Sequence, residues 1–373
     1  MRKRAPSKTR VIRYAVIGLG YISQVAVLPA FANATRNSKL AALVSDSPEK
    51  LHTLGRRYRV ELLCSYDQLD QLLACGAIDA IYIALPNTQH ASYAIKAAQA
   101  GVHVLTEKPL AVTTSDCEQM IQAARRSATK LMVAYRLHFD AATLEIAELA
   151  QSGQLGELRY FTSSFSMQVD DGNIRLRSDT AGGPLYDIGI YCINAARMVF
   201  AAEPIEVLAT AASHDDPRFG EVPETIAVTM KFPRGMVASF VCSFGAANRS
   251  TYEIVGTAGS LIADPAYPYA QGIRYELRSA GRTQVRQFRN SDQFGAELLY
   301  FSDCILNDRE PEPSGEEGLI DIAIIEALNE SISSGRWIAL DLSQRQRPAM
   351  DQAITCPAVK RPSLVAAKSP SRK

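Results

Sequence analysis

The feature that most constrains the fold is an apolar strand that runs directly into a glycine turn. Val11–Ile17 is an apolar run broken only by Arg13, and Gly18-Leu19-Gly20 follows it before a helical pattern begins. Gly18 permits a tight turn, and Gly20 lets a phosphate approach the N-terminus of the next helix. The third position of such a fingerprint, usually Gly or Ala, is Ser23, which is still small enough for helix–strand packing. A turn without a ligand remains the alternative.

Residues 11–134 alternate between apolar strands and amphipathic helices with short connections. Apolar runs without polar alternation are typical of strands that are covered on both faces, as in a parallel sheet. The predicted strands are Val11–Ile17, Leu40–Val44, Ala80–Ala84, Val102–Leu105 and Leu131–Ala134. We therefore expect an α/β Rossmann domain with a doubly wound parallel sheet over residues 1–135.

The pattern changes after residue 135. Shorter, partly alternating strands such as Tyr160–Met167 and Thr225–Phe232 favour a large, mostly antiparallel sheet with one open face, combined with helices in an α+β domain. We assign this domain to residues 136–342. Residues 343–373 lose the pattern, and from Cys356 onward they carry five Lys or Arg and no acid. They are predicted to form a disordered tail.

Composition excludes several classes of function. The 373 residues carry a net charge of +1, which gives no electrostatic footprint for nucleic acid or for a membrane surface. No apolar run approaches the roughly 20 residues that span a bilayer. The basic N-terminus lacks the apolar region of a signal peptide and is predicted to be a short disordered leader. Seven scattered cysteines without a CxxC pair favour a cytoplasmic protein without a metal site.

The residues after the second strand bear on which dinucleotide binds. An acid at the strand end would hydrogen-bond the ribose of NAD and repel the extra phosphate of NADP. Here the strand ends in Ser45, with Asp46 next and Lys50 beyond. A hydroxyl and a lysine suit a phosphate, so NADP is favoured if Asp46 faces away, and NAD stays possible. Alternatively, Ser45 and Lys50 are ordinary helix-start residues.

Two further strand ends carry candidate chemistry, because ligands bind at the carboxyl ends of strands in such sheets. Pro86, Asn87 and His90 follow Ala80–Ala84, and Asn87 and His90 are candidates for the nicotinamide ribose. For His90, a role in the first turn of a helix is the alternative.

Glu107-Lys108-Pro109 follows the next strand. A buried ammonium beside a sugar hydroxyl can orient it and ease its deprotonation, and desolvation would lower the pKa of Lys108. A lysine in a surface loop is the alternative.

A second constellation lies in the later domain. After Gly182-Gly183-Pro184 a helix is predicted, and it places Asp187 and Tyr191 four residues apart on one face. A carboxylate and a phenol presented toward Lys108 would form an acid–base group, in which Tyr191 exchanges the hydroxyl proton and Asp187 orients the substrate. Asp187 as a simple helix cap is the alternative.

With these residues placed, the chain resembles the Gfo/Idh/MocA oxidoreductases from Val11 to about Leu340, and within them the glucose–fructose oxidoreductase branch. The resemblance rests on the motifs already described together with the segments Ala134–Phe139 and Asp187–Tyr191. It maps the family lysine onto Lys108 and the substrate-domain aspartate onto Asp187. It also implies a substrate border at Arg136 and a substrate-side loop at Arg175-Leu176-Arg177.

These observations define the predicted site. The predicted catalytic residues are Lys108, Asp187 and Tyr191. The predicted cofactor contacts are Gly18, Leu19, Gly20, Tyr21, Ile22, Ser45, Lys50, Pro86, Asn87, His90, Glu107, Lys108 and Arg136. The predicted substrate contacts are Lys108, Arg136, Arg177, Asp187 and Tyr191.

The resemblance implies a soluble NADP-dependent enzyme that moves a hydride between C1 of an aldose and nicotinamide, acting on a sugar or polyol. A glucose–fructose oxidoreductase that keeps its cofactor is a second hypothesis, although the short leader and a glycine run one residue shorter before Asp187 depart from that branch. A non-catalytic NADP-binding sensor is a third. The family further implies a homodimer or homotetramer built on the open sheet.

Overall fold

The computed structural model of the chain describes residues 10–345 and 347–371. Most of the predicted leader and the last two residues of the tail lie outside the described residues. Within them, two sheets organise the molecule, and each domain predicted from sequence contains one of them.

The first sheet has six parallel strands in the order β3-β2-β1-β4-β5-β6. The strands are β1 (Ile12–Ile17), β2 (Ser38–Val44), β3 (Leu62–Cys64), β4 (Ala80–Ile83), β5 (His103–Glu107) and β6 (Leu131–Ala134). This order reverses between β1 and β4, which places a ligand crevice at their carboxyl ends. The predicted doubly wound Rossmann sheet is confirmed. Sequence reasoning missed β3, whose exposed Leu62 and Leu63 give no buried-strand pattern.

Helices cover both faces of this sheet. A π-helical turn, Ser23–Val27, leads into the short helix α1 after the glycine turn. The helices are α1 (Leu28–Ala30), α2 (Pro48–Tyr58), α3 (Leu69–Ala74), α4 (His90–Gln99) and α5 (Thr114–Arg126). Ser47 and Thr113 cap α2 and α5 by accepting backbone N–H groups, which satisfies donors that the first turn leaves free.

The second sheet has nine strands in the order β14-β13-β12-β11-β7-β10-β9-β8-β15, and every pairing is antiparallel except that of β7 with β10. Its strands are β7 (Leu158–Ser166), β8 (Glu206–Ala212), β9 (Thr225–Lys231), β10 (Val237–Ser243), β11 (Arg249–Gly256), β12 (Gly259–Ala263), β13 (Arg274–Ser279), β14 (Arg282–Gln287) and β15 (Ile338–Ala339). Alternate burial along β9 shows one covered and one open face. The predicted mostly antiparallel sheet is confirmed.

Four helices complete the second half: α6 (Ala141–Gln151), α7 (Ile190–Phe200), α8 (Gln293–Leu306) and α9 (Gly315–Ser334). Helix α9 returns to the first domain, where Gly315 and Gly318 let its backbone approach Leu131 and Leu110 closely. None of the helices in the described ranges is long and apolar enough to cross a bilayer.

The C-terminal residues differ from the predicted disordered tail. Residues 347–371 follow an irregular but packed path in which Cys356 and Val365 are 4% and 8% exposed. The backbone of this segment bonds to Phe139, Asp170 and Asp292 of the second domain and to Gln24 of the first. Hydrogen bonds to distant partners, rather than an apolar face of its own, hold the segment in this path.

Candidate active site

The glycine turn after β1 has the geometry that a dinucleotide requires. Gly18 has φ +91°, and a Cβ there would lie 2.5 Å from the backbone oxygen of Ala84, so only glycine fits. Ser23 donates its hydroxyl to the backbone oxygen of Gly18 at 2.6 Å and so pins the turn. A Cβ on Gly20 would meet no atom within 4 Å. This open space is where a pyrophosphate would approach the helix N-terminus.

The end of β2 fits a phosphate better than a bare ribose. Ser45 is buried at the strand end, and Lys50 lies in the first turn of α2. The carboxylate of Asp46 accepts the backbone N–H of Tyr66 at 3.2 Å, which turns it toward the residues after β3. Asp46 therefore faces away from the expected phosphate position, which is the condition under which the sequence favours NADP.

Most of the other predicted cofactor residues lie along the same crevice. Leu19 is buried, and Ile22 packs against the core of the first domain. The hydroxyl of Tyr21 lies 3.5 Å from that of Tyr269, which belongs to the second domain. Pro86 precedes a short turn in which Asn87 donates to the backbone oxygen of Ala181 at 2.9 Å. Asn87 thus also ties the two domains together.

His90 is not directed at the crevice as predicted. Its side chain is fully buried, and its two ring nitrogens lie 2.8 Å from the backbone oxygen of Pro109 and 3.0 Å from that of Leu85. Burial holds the pKa of His90 below its usual value, partly offset by the backbone oxygens of Pro109 and Leu85. Both nitrogens face the protein, and His90 links the loops that follow β4 and β5.

Lys108 lies between the two domains and contacts Asp187. Its Nζ donates to Oδ1 of Asp187 at 2.9 Å and to the backbone oxygen of the same residue at 2.7 Å. The other carboxylate oxygen, Oδ2, accepts Nε of Arg175 at 2.6 Å. The side chains of Lys108 and Asp187 are 11% and 18% exposed. We call Lys108, Asp187, Arg175 and Tyr191 the active-site cluster.

Electrostatics in this cluster oppose one of the sequence expectations. Burial alone would lower the pKa of Lys108, but the charges of Asp187 and Tyr191 outweigh it, and the pKa lies above the usual value. Burial likewise acts to raise the pKa of Asp187, and Arg175 and Lys108 hold it well below its ordinary range. The predicted lowering of the lysine pKa is therefore wrong, because an ion pair accompanies the burial.

Tyr191 faces two cations. Its ring centroid lies 5.2 Å from Nζ of Lys108 and 4.9 Å from the guanidinium carbon of Arg136. Nε of Arg136 donates to the Tyr191 hydroxyl at 3.2 Å. Because the phenol oxygen accepts from Arg136, its own proton is available for a ligand.

The sequence predicts that Arg136 contacts cofactor and substrate, but most of its guanidinium N–H groups donate to other protein groups. Besides Tyr191, it donates to the backbone oxygen of Tyr267 at 2.8 Å and to the side chain of Gln293 at 2.5 Å. Only 4% of Arg136 is exposed. Its structural role is to position the Tyr191 hydroxyl and to place a positive charge behind it.

Glu107 lies behind Lys108, where its carboxyl accepts the hydroxyl of Tyr82 at 2.9 Å. Burial raises the pKa of Glu107, partly offset by the charge of Lys108. The backbone of Glu107 remains at the strand end, where a cofactor would pass.

Arg175, rather than the predicted Arg177, belongs to the active-site cluster. Arg177 is 55% exposed, and its Nε donates to Asp179 at 2.9 Å, so it does not join the active-site cluster. Arg175, two residues earlier, does. The loop folds back because Gly182 and Gly183 donate to the backbone oxygens of Arg177 and Arg175. The RLR segment indicated the correct loop, but the fold-back decides which arginine turns inward.

The active-site cluster borders a cleft between protein side chains. Lys108 and Tyr191 line it together with Tyr267, Asn194 and His138. Donors, an acceptor and aromatic faces beside one cleft suit a polyhydroxylated ligand. No group of His, Cys, Asp and Glu in the described part of the chain is arranged to hold a metal ion.

Comparison with known proteins supports this interpretation. Residues 12–135 match "Oxidoreductase family, NAD-binding Rossmann fold" (GFO_IDH_MocA), and residues 143–262 match "GFO/IDH/MocA C-terminal domain". The chain therefore belongs to the Gfo/Idh/MocA oxidoreductase family, which confirms the resemblance drawn from its motifs.

Individual relatives include sugar enzymes. D-xylose 1-dehydrogenase [NADP(+)] of Haloarcula marismortui is 31% identical over 338 residues, which cover 88% of this chain and 93% of that protein. The structure of aldose–aldose oxidoreductase from Caulobacter crescentus, with glycerol, is 38% identical with a TM-score of 0.84 and covers 89% of this chain and all of that one. KijD10, a 3-ketoreductase from Actinomadura kijaniata solved with NADP and TDP-benzene, is 26% identical with a TM-score of 0.78, over 86% of this chain and 98% of its own. The prediction of an enzyme that oxidises or reduces CH–OH groups is confirmed.

Proposed function

We propose that this protein is an NADP-dependent oxidoreductase that moves a hydride between C1 of an aldose and C4 of nicotinamide, giving a lactone in the oxidative direction. The observation that carries the proposal is the active-site cluster at the carboxyl end of β5, with Lys108 and Tyr191 on the wall of one cleft. The named activities of the xylose dehydrogenase and the aldose–aldose oxidoreductase support the substrate class.

NADP is the cofactor. Support comes from Ser45 and Lys50 at the end of β2, from the turned-away carboxylate of Asp46, and from the NADP in the names of two relatives. When bound, the nicotinamide supplies the hydride acceptor, and the glycine turn at Gly18 and Gly20 holds the pyrophosphate.

The proton is handled by this chain's own residues. Lys108 uses two N–H groups on Asp187, which leaves the third of its ammonium donors for the sugar O1. In the oxidative direction deprotonated Tyr191 takes the O1 proton as the hydride leaves C1, and in the reductive direction its hydroxyl returns a proton to O1. The positive charges of Lys108 and Arg136 stabilise negative charge on the phenol oxygen. Asp187 holds Lys108 and Arg175 in place, and the remaining guanidinium N–H groups of Arg175 bind further sugar hydroxyls.

The direct test is reduction of NADP by purified protein with a panel of D-xylose, D-glucose, D-galactose and inositol. Sustained reduction with at least one aldose is expected, and the product should be the lactone or its aldonic acid by mass spectrometry. Reduction by inositol alone would shift the substrate class to polyols. Silence with every sugar, in protein shown to bind NADP, would favour the non-catalytic sensor.

A second candidate is exchange between two sugars, in which one aldose is oxidised and another sugar is reduced on the same cofactor. The 38% identity to the aldose–aldose oxidoreductase favours it. Incubation of ¹³C-labelled D-glucose with D-xylose and one equivalent of NADP per site separates the two functions. Exchange yields many turnovers of an alditol and an aldonate together, whereas a simple dehydrogenase stops after the NADP is reduced.

A further inference from the structure

The C-terminal segment 354–371, here called the strap, runs along the side of the molecule on which the dinucleotide crevice opens. It begins at the second half of the chain, where Ile354 donates its backbone N–H to Phe139 and Cys356 accepts that of Asp292. Asn33, which follows α1, donates to the backbone oxygen of Pro357 at 2.7 Å. The strap thus reaches the first domain next to the helix that leaves the glycine turn.

The middle of the strap contacts both walls of the crevice. The guanidinium of Arg361 lies 4.7 Å from the ring centroid of Tyr269, whose hydroxyl meets Tyr21 beside the glycine turn. Arg57 donates to the backbone oxygen of Ser363 at 2.9 Å. Arg57 belongs to α2, the helix that starts beside Ser45 and Lys50, where the NADP phosphate would bind.

The tightest anchor is a two-way bond between Gln24 and Val365. Val365 donates its backbone N–H to the Gln24 side chain at 2.8 Å, and the same amide donates back to the Val365 oxygen at 2.9 Å. The Gln24 amide also donates to the backbone oxygen of Leu19, inside the glycine turn, at 3.0 Å. Gln24 is fully buried and Val365 is 8% exposed. One side chain therefore joins the strap to the turn that holds the pyrophosphate.

The far end of the strap returns to the second domain. Asp170 donates its backbone N–H to Pro370 at 3.1 Å, and Val169 pairs with Ser371 in an antiparallel bridge. Val169 and Asp170 follow β7, in the loop region that leads to Arg175. The strap consequently spans from α2 and the glycine turn to the substrate side.

The strap carries positive charge, which suits an anionic ligand in the crevice. Lys360, Arg361 and Lys368 lie in this span, and no Asp or Glu does. All three residues are exposed. Positive charge near the crevice favours a ligand that carries three phosphates.

We propose that the strap is part of the NADP site and closes over the bound dinucleotide, so that the cofactor leaves only when the strap detaches. This inference rests on the proposed use of NADP. Docking of the strap and binding of NADP then stabilise each other, because a ligand that contacts only the closed form shifts the equilibrium toward it.

The first test compares two neighbouring substitutions in the full chain. Val365→Asp places a carboxylate in the buried anchor, and Ala366→Asp places the same group at an exposed position where φ is +44°, a conformation that Asp adopts more readily than Ala. Each protein is loaded with NADPH and mixed with excess NADP, and the decay of bound-NADPH fluorescence gives the release rate. The buried carboxylate of Val365→Asp should detach the strap, break the two bonds to Gln24 and release NADPH at least about tenfold faster. Ala366→Asp adds the same charge without disturbing the anchor, so its release should be much less accelerated.

A chain that stops at Pro357 provides a second variant in case Val365→Asp does not fold. It keeps the bonds to Phe139, Asp292 and Asn33, and it should show the same fast release. Equal release rates in full-length and shortened protein would overturn the proposal. Tighter NADPH binding by the shortened chain would also overturn it, since the strap would then compete with the cofactor. Failure of every form to bind NADPH would instead refute the proposed function.

Limited proteolysis tests the same linkage without any substitution. Trypsin cleaves after Lys360 and Lys368, which are exposed. Saturating NADP should slow both cuts by about tenfold or more, as read by intact mass. Cleavage at an unchanged rate would show that strap docking is independent of the cofactor and would refute the proposal.

Discussion

Two buried ion-pair clusters lie close together in this protein, and they are built differently. The active-site cluster joins Lys108, Arg175 and Tyr191 around Asp187. A second group, here called the sealed cluster, joins Arg197 to Glu203, Glu317 and Asp321. The side chain of Arg175 is 29% exposed, and that of Arg197 is 0% exposed. The side chain of Asp187 is 18% exposed, whereas the three carboxylates of the sealed cluster are at most 2% exposed.

The clusters also differ in how completely their donors are used. Arg197 donates Nε and both terminal nitrogens to three carboxylates at 2.6 to 3.2 Å. Lys108 keeps one ammonium donor, and Tyr191 keeps its proton. Helix α7 and the π-helical turn Leu185–Gly189 before it carry members of both groups, so a short stretch of chain serves both. The active-site cluster retains hydrogen-bond donors that can act on a ligand. In the sealed cluster the arginine donors are all used, and its role is structural.

Removing the ammonium of the active-site cluster should have the largest effect. Lys108→Met is expected to lower kcat by about a thousandfold, because the sugar O1 loses its charged donor. Steady-state kinetics and thermal melting of the same samples check this. Lys96→Met, at an exposed pair with Asp70, is the matched control. Near-normal kcat in Lys108→Met would remove Lys108 from the mechanism.

The sealed cluster should respond in the opposite way. Arg197→Met removes the cation that Asp321 contacts, whereas Glu203 and Glu317 keep Arg347. The uncompensated buried charge should cost about 3–5 kcal/mol of unfolding free energy. The kcat of the protein that remains folded should change little. Urea unfolding measures the first quantity, and Arg159→Met at an exposed pair, costing under about 1 kcal/mol, is the control. An Arg197→Met variant that stayed stable but lost activity would contradict the proposed difference in role between the two clusters.

Tyr191→Phe isolates the proton exchange. It keeps the ring beside Lys108 and Arg136 and should lower kcat about a hundredfold, with NADP affinity unchanged. Tyr186→Phe, five residues earlier, should behave as wild type. If both variants kept full activity, another group would have to carry the proton.

The two loop arginines sharpen the comparison further. Arg175→Lys loses the planar guanidinium that bonds Asp187, and KM for the sugar should rise about tenfold. Arg177→Lys, at an exposed pair with Asp179, should leave KM unchanged. The reverse result would mean that the loop adopts another conformation when sugar binds.

The smallest effect is one of pH on stability. The pKa of Asp187 is held low in the folded protein, so its stabilising contribution is complete above the unfolded value near 4 and is lost as pH falls below that. Wild type should therefore exceed Asp187→Asn in unfolding free energy at pH 7, and the difference should shrink below about pH 4. Asp215→Asn, in an exposed loop, should give no such trend. A constant difference down to pH 2 would contradict the assigned ion pair.

Sequence alone predicted what short-range patterns encode. The apolar pattern placed Lys108 at the carboxyl end of a strand, and a spacing of four placed Asp187 and Tyr191 on one helical face. The family resemblance implied that these residues share one site. The doubly wound parallel character of the first sheet followed from its apolar runs, although β3 was missed. These features depend on residues that are neighbours in sequence or on rules common to all such sheets.

Features set by long-range contacts could not be predicted. Arg175 rather than Arg177 faces Asp187 because glycine backbone groups fold the loop onto itself. His90 turns inward because two loops present carbonyl oxygens to it. The strap is ordered by Gln24, more than three hundred residues earlier. The predicted oligomer and cellular location stay predictions.

The central claim is direct hydride transfer from an aldose to NADP beside Lys108 and Tyr191. Its most direct test is a single turnover with D-xylose that carries deuterium at C1, or with the preferred aldose if xylose is not the substrate, followed by mass spectrometry of the nicotinamide cofactor. The account predicts NADPH that carries the sugar's deuterium at C4, formed by the wild type and greatly slowed in Lys108→Met. Unlabelled NADPH, or equal rates in the two proteins, would contradict it.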